Sequence, residues 1–180
     1  IGNMLMRLTG NAVYGADKSA EALERFEREG GRKSDLKEIM AACDIVVATT
    51  GAAGLIKPEM VRPGQIILAL SNPNAEIDPE AALERGAAFA ADGKSVNNVL
   101  GFPGIFRGAV DAHAPRITNE MLVAAAETIA SMTPAGELVP NPLDKNVHRA
   151  VARAVAETAI RQGIARAEYV PYVEEKRPDY

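Results

Sequence analysis

DIVVATTGAAGLIKPEMVRPGQIILALSNPN, residues 44–74, decides the fold. It holds two apolar, branch-rich runs, DIVVATT at 44–50 and QIILALS at 65–71. Neither alternates polar with apolar, which predicts strands buried on both faces. Residues 51–54, GAAG, read as a turn, and Pro73 ends the second run because proline has no N–H for a ladder. No hairpin signal joins the runs, and helical spacing flanks them. Strands that alternate with helices predict an α/β fold, a parallel sheet with helices on both faces.

Working outward, Ile1, Met4, Leu5 and Leu8 have helical spacing over 1–9. Residues 11–17 predict a short strand with Val13 and Tyr14 as its β-formers. Ser19 is placed to cap a helix with Glu21 and Ala22 in its first turn, Leu23 and Phe26 on its apolar side, and Gly30-Gly31 at its end. Residues 34–42 predict a second short helix. Another begins at Asp78 or Pro79 and runs through Arg85, before a short edge strand at 87–91. Helices follow at 103–113, 118–132 and 144–166. The Ala-rich helices from 118 onward are expected to layer on the sheet and form a C-terminal arm. The tail at 169–180 is polar with two prolines, and is expected to reach over a neighbour or stay mobile.

The chain has 180 residues, 47% hydrophobic and 24% charged, enough for a packed core without global disorder. A net charge of −4 argues against a nucleic-acid partner, which usually needs a basic face. No apolar run approaches the ~18 residues of a membrane span, and no signal peptide is visible. Cys43 is the only cysteine, so no intrachain disulfide forms, and it is expected to be a small buried apolar side chain. The chain opens on Ile1 inside a helical pattern rather than on an initiator Met, and is expected to be a piece of a longer protein.

Candidate site residues stand where strands run out, which is where open α/β sheets bind ligands. Asp17 follows the first strand and can accept from ribose hydroxyls, or cap the next helix. Lys18, beside it, suits a 2′-phosphate, so nucleotide preference stays open. Thr50, Gly51 and Ala52 form the turn after 44–50, and Gly51 permits a close backbone approach that a Cβ would block. The rival role for these residues is the turn itself. Asn72 precedes Pro73 at the end of the second run. It can meet a ligand or bond its own backbone as an Asx-turn. Asn97 and Asn98 open NNVLGFPG at 97–104, and two amides in an apolar run cost ~1–3 kcal/mol each if buried unpaired. On extended backbone the two point to opposite sides. Pro103 and Gly104 read as structural, Arg107 as a helix-surface or subunit-contact residue. His113 and His148 stand too far from carboxylates to suggest a metal site. The acidic residues of 21–29 and 76–84 read as helix faces.

The two Asn motifs, ALSNPN at 69–74 and SVNNVLGFPGIFRGAVD at 95–111, occur in order and resemble the cofactor-binding domain of malic enzymes of bacterial type, over about 41–154. The resemblance implies a Rossmann-type domain, truncated at its N-terminal end, over 1–132, and a C-terminal helix and arm over 133–180. It implies oxidative decarboxylation of L-malate to pyruvate and CO₂ with NAD or NADP and Mg²⁺ or Mn²⁺. It places Asn72 beside nicotinamide and substrate, and sets Asn97, with Asn98, toward malate. It also implies a cytoplasmic homodimer or higher oligomer. In that family a Lys base, a Tyr acid and the acidic metal ligands precede the point where this chain begins, as does the glycine-rich turn. No catalytic and no metal-binding residue is therefore expected here, and the segment alone is expected to be inactive. The alternatives are the dinucleotide-binding domain of another dehydrogenase, or a non-catalytic NAD(H)-sensing or assembly module.

Overall fold

The branched runs form the strands they predict. In the computed structural model, which describes residues 1–94 and 98–167, IVVA is β3 (Ile45–Ala48) and IILA is β4 (Ile66–Ala69). They pair in parallel from Ile45 beside Ile66 to Ala48 beside Ala69, and β5 (Phe89–Asp92) adds in parallel to the free side of β4. Burial is deeper on one face, where Val46, Ala48, Ile67 and Ala69 meet Met40, Ile56, Ile77 and Ala82. Met40 lies on α3 (Leu36–Ala42) and Ala82 on α4 (Pro79–Glu84), so helices seal this core. Cys43 is half-buried against it, and burial pushes its thiol pKa up.

One buried polar residue explains how α3 ends. Gln65 is 1% exposed. Its Nε2 donates to the carbonyls of Met40 and Cys43 at 2.9 and 2.7 Å, and its Oε1 accepts from the Arg62 N–H at 2.7 Å. Arg62 reaches the same two carbonyls through Nε and Nη2 at 3.1 and 2.9 Å. The last carbonyls of a helix lack intrahelical partners, and these side chains supply them.

A second, two-stranded parallel sheet pairs β1 (Tyr14–Gly15) with β2 (Arg32–Lys33), beside α1 (Gly2–Thr9) and α2 (Ala20–Arg28). The strand expected over 11–17 is thus only two residues long, and β2 was not foreseen. Phe26 organises this region: a Cβ on Gly2 or Gly15 would come within 2.6 Å of its ring, and one on Gly31 would also overlap it. Ser19 caps α2 by accepting from the Ala22 N–H, as its sequence position predicts. Asp78 caps α4 likewise, accepting from Glu80, with Pro79 in the first turn.

Among the described residues, 1–94 fall in one compact unit and 98–167 in another. In the second, a 3-10 turn at Asn98–Leu100 leads into α5 (Phe102–Asp111), followed by α6 (Asn119–Ser131) and α7 (Lys145–Arg161). These helices bury Leu100, Met121, Val147, Val151 and Val155 in a core of their own. The apolar residues of these helices pack helix on helix, and α5 joins them through glycines. A Cβ on Gly104 would come within 2.6 Å of Val151, and one on Gly108 would run into the Ala152 carbonyl. Gly108→Ala therefore needs the helices to part, at a cost of ~1–3 kcal/mol for overpacking.

Candidate functional site

Two turns leave the C-terminal ends of β3 and β4, and one carboxylate ties them together. Glu76 is 0% exposed. Its Oε1 accepts from the Thr50 N–H at 2.6 Å, the Thr50 hydroxyl at 2.8 Å and the Ser71 hydroxyl at 2.6 Å. Its Oε2 accepts from the Ser71 N–H at 3.4 Å. Ser71 Oγ accepts in turn from the Gly51 N–H at 2.8 Å, and Thr50 Oγ1 from the Ala52 N–H at 3.2 Å. The backbone around Glu76 is also fixed: its carbonyl accepts from the Ile56 N–H at 3.0 Å, and the Ala75 carbonyl from the Gly54 N–H at 3.2 Å.

The electrostatics follow from this geometry. Burial on its own raises a carboxyl pKa by penalising the charged form. Here hydrogen bonds from Ser71 and from the Thr50 amide and hydroxyl outweigh burial and hold Glu76 at about 2. Glu76 is therefore ionised at neutral pH, as it must be to accept from every one of these donors.

The sequence reading missed this residue. It grouped Glu76 with the acidic faces of 76–84, yet α4 starts only at Pro79. Two signals were available. The Asp78 cap places residue 76 outside the helix. The hydroxyl residues at both strand ends, Thr50 and Ser71, also need an acceptor.

The expected site residues fall as follows. Thr50, Gly51 and Ala52 form the turn after β3. Gly51 adopts φ 71°, a left-handed conformation that favours glycine, and the space its Cβ would enter is open. Asn72 follows Ser71, is exposed, and its carboxamide finds no hydrogen-bond partner among the described residues. The Asx-turn alternative is therefore not the conformation it adopts. Asp17 lies exposed beyond β1, and its Oδ1 accepts from the Ser19 N–H at 2.8 Å. Its other oxygen remains available to a ligand. Asn97 lies outside the described residues. Asn98 begins a 3-10 turn.

Arg107 donates from Nε to Asp111 Oδ2 at 2.7 Å, one turn along α5, consistent with a helix-surface residue. His148 is bonded through Nε2 to the Pro142 carbonyl at 2.8 Å, and His113 lies exposed beyond the end of α5. Among the described residues no three of His, Cys, Asp and Glu stand together as metal ligands do. These residues do not fit a divalent ion. They do fit a nucleotide: open space at Gly51, a spare carboxylate oxygen on Asp17, and an unpartnered carboxamide at Asn72. Among the described residues no helix is long and apolar enough to cross a membrane.

Residues 88–164 match the family described as malic enzyme, NAD binding domain. Over 158 residues, 87% of this chain, the sequence is 61% identical to the NAD-dependent malic enzyme 1 of Bacillus subtilis (strain 168), covering 36% of that protein. An NADP-dependent malic enzyme of Rhizobium meliloti (strain 1021) is 36% identical over 177 residues, covering 83% of this chain and 22% of its own length. The crystal structure of malic enzyme from Pyrococcus horikoshii OT3 matches with a TM-score of 0.70 at 29% identity, over 92% of this chain and 52% of that one. The chain thus spans about a third or less of these curated relatives and about half of that structure.

Proposed function

We propose that this chain is the cofactor- and substrate-positioning part of a malic enzyme, which oxidatively decarboxylates L-malate to pyruvate and CO₂. The observation that carries the proposal is the Glu76 tie between the ends of β3 and β4, with the unpartnered Asn72 beside it. Ends of parallel strands are where such sheets bind nucleotides. The strand order supports the same reading. In a 3-2-1-4-5-6 sheet the pair β2-β1 supplies positions 3-2, and β3-β4-β5 supplies 4-5-6. The first strand and its glycine-rich turn then belong to the remainder of the same enzyme.

When bound, NAD⁺ or NADP⁺ supplies the hydride acceptor. Residues of this chain bind and orient. The Thr50–Gly51–Ala52 turn lies against the nucleotide, Gly51 allowing close approach. Asp17 takes the ribose hydroxyls, with Lys18 beside it for a 2′-phosphate. Asn72, with Asn97 and Asn98, would hold the substrate with its reacting carbon turned toward the hydride acceptor. We assign no catalytic residue and no ligand of Mg²⁺ or Mn²⁺ to this chain, and place both sets in the remainder of the enzyme. We place residues 1–132 in the nucleotide domain and 133–180 in the C-terminal helix and arm. The active form is proposed to be a cytoplasmic homodimer or higher oligomer.

The proposal is tested by assaying the chain alone and the whole enzyme with L-malate, Mn²⁺ and either nucleotide. The whole enzyme is expected to form NADH or NADPH and the chain alone to stay at background. Turnover by the chain alone would show that it holds its own acid–base residues and overturn the proposal.

A further inference from the structure

We infer that Glu76 is the positioning residue of this crevice, a role that rests on the function proposed above. By holding Thr50 and Ser71 at once, its carboxylate sets the turn that faces the nucleotide and the Asn72 carboxamide that faces nicotinamide and malate in one fixed relation. Glu76 does not touch a ligand itself, because it is fully buried and its oxygens are occupied by Thr50 and Ser71.

Three features point to positioning rather than to packing alone. First, Asn72 has no partner of its own among the described residues. Its orientation is inherited from Ser71, the adjacent residue, which Glu76 holds by both hydroxyl and amide. Second, Ser71 Oγ is a relay. It donates to Glu76 and accepts from the Gly51 N–H, so the carboxylate orders the glycine turn through it. Third, the arrangement needs an acceptor without protons. Glutamine at 76 keeps the size but puts an NH₂ donor in place of one oxygen, facing either the Ser71 amide or the Thr50 and Ser71 donors. That rearranges both turns while leaving the volume of the core unchanged.

The test uses the whole enzyme with Glu76→Gln, Asn72→Ala and the double variant, plus Ser71→Ala. Two quantities are read: kcat/KM for malate, and Kd for NADH from its bound fluorescence. Glu76→Gln is expected to lower kcat/KM by ~10-fold or more, the scale of a lost buried bond to a charged group. Because it acts through Asn72, the double variant should fall within about twofold of the worse single one. Costs that multiply in the double variant, or Glu76→Gln kinetics within about twofold of wild type, overturn the inference. If Glu76→Gln does not fold, Ser71→Ala replaces it. It removes one donor and the relay, with an expected loss of ~3- to 10-fold and the same non-additivity with Asn72→Ala. If the wild-type enzyme does not turn over malate, the proposed function fails, and Glu76 is judged by NADH alone. A Kd raised ~5-fold or more by Glu76→Gln then upholds its role at the nucleotide turn, and an unchanged Kd overturns it. A wild-type enzyme that does not bind NADH overturns both.

Discussion

Acidification from about pH 6 to about pH 2 is expected to remove about 3 kcal/mol of stability through Glu76 alone. The sign follows from the depressed pKa. Folded, Glu76 titrates at about 2, against an ordinary value of 4.5. As pH falls, the unfolded chain binds this proton first, so the folded state loses ground. The contribution is complete above about 4.5, declines between the two values, and is gone below about 2. Denaturant unfolding at stepped pH checks it, with wild type beside Glu76→Gln. The variant should lose about 3 kcal/mol less than wild type over the same window. Equal slopes would mean that Glu76 is not the proton-sensitive group in the fold.

The second large effect is kinetic. In the whole enzyme Asn72→Ala is expected to lower kcat/KM for malate by ~5- to 150-fold, one well-placed hydrogen bond of ~1–3 kcal/mol. Its melting temperature should stay nearly unchanged, because the side chain is exposed and bonds to nothing among the described residues. This separation distinguishes a ligand contact from a turn residue. Kinetics within about twofold of wild type would reduce Asn72 to a spacer before Pro73.

The central strands were legible because their signal is local. A branched apolar run such as IVVA or IILA has few other uses, and Pro73 closes it. The Ser19 and Asp78 caps were legible for the same reason: a side-chain oxygen bonds an amide two or three residues on. What escaped is long-range. Arg32–Lys33 has no strand-forming side chain, and it becomes β2 only by pairing with Tyr14–Gly15 across the packed Phe26. Glu76 bonds Thr50, 26 residues away, so its neighbours in sequence give the wrong impression of a helix face. Gly104 was read as structural, and the neighbour that makes it so, Val151, lies far along the chain on α7. Thr50, Gly51 and Asn72 stand at the strand ends where the sequence put them, whereas the carboxylate that holds Thr50 and Ser71 was not foreseen.

Product analysis of the whole enzyme tests the proposed reaction most directly. With L-malate, Mn²⁺ and its preferred nucleotide, it is expected to form equal amounts of reduced nucleotide, pyruvate and CO₂. Reduced nucleotide accompanied by accumulating oxaloacetate and no CO₂ would contradict the account and identify a dehydrogenase without the decarboxylation step. No reduction with malate at all would leave a nucleotide-binding domain with a different substrate.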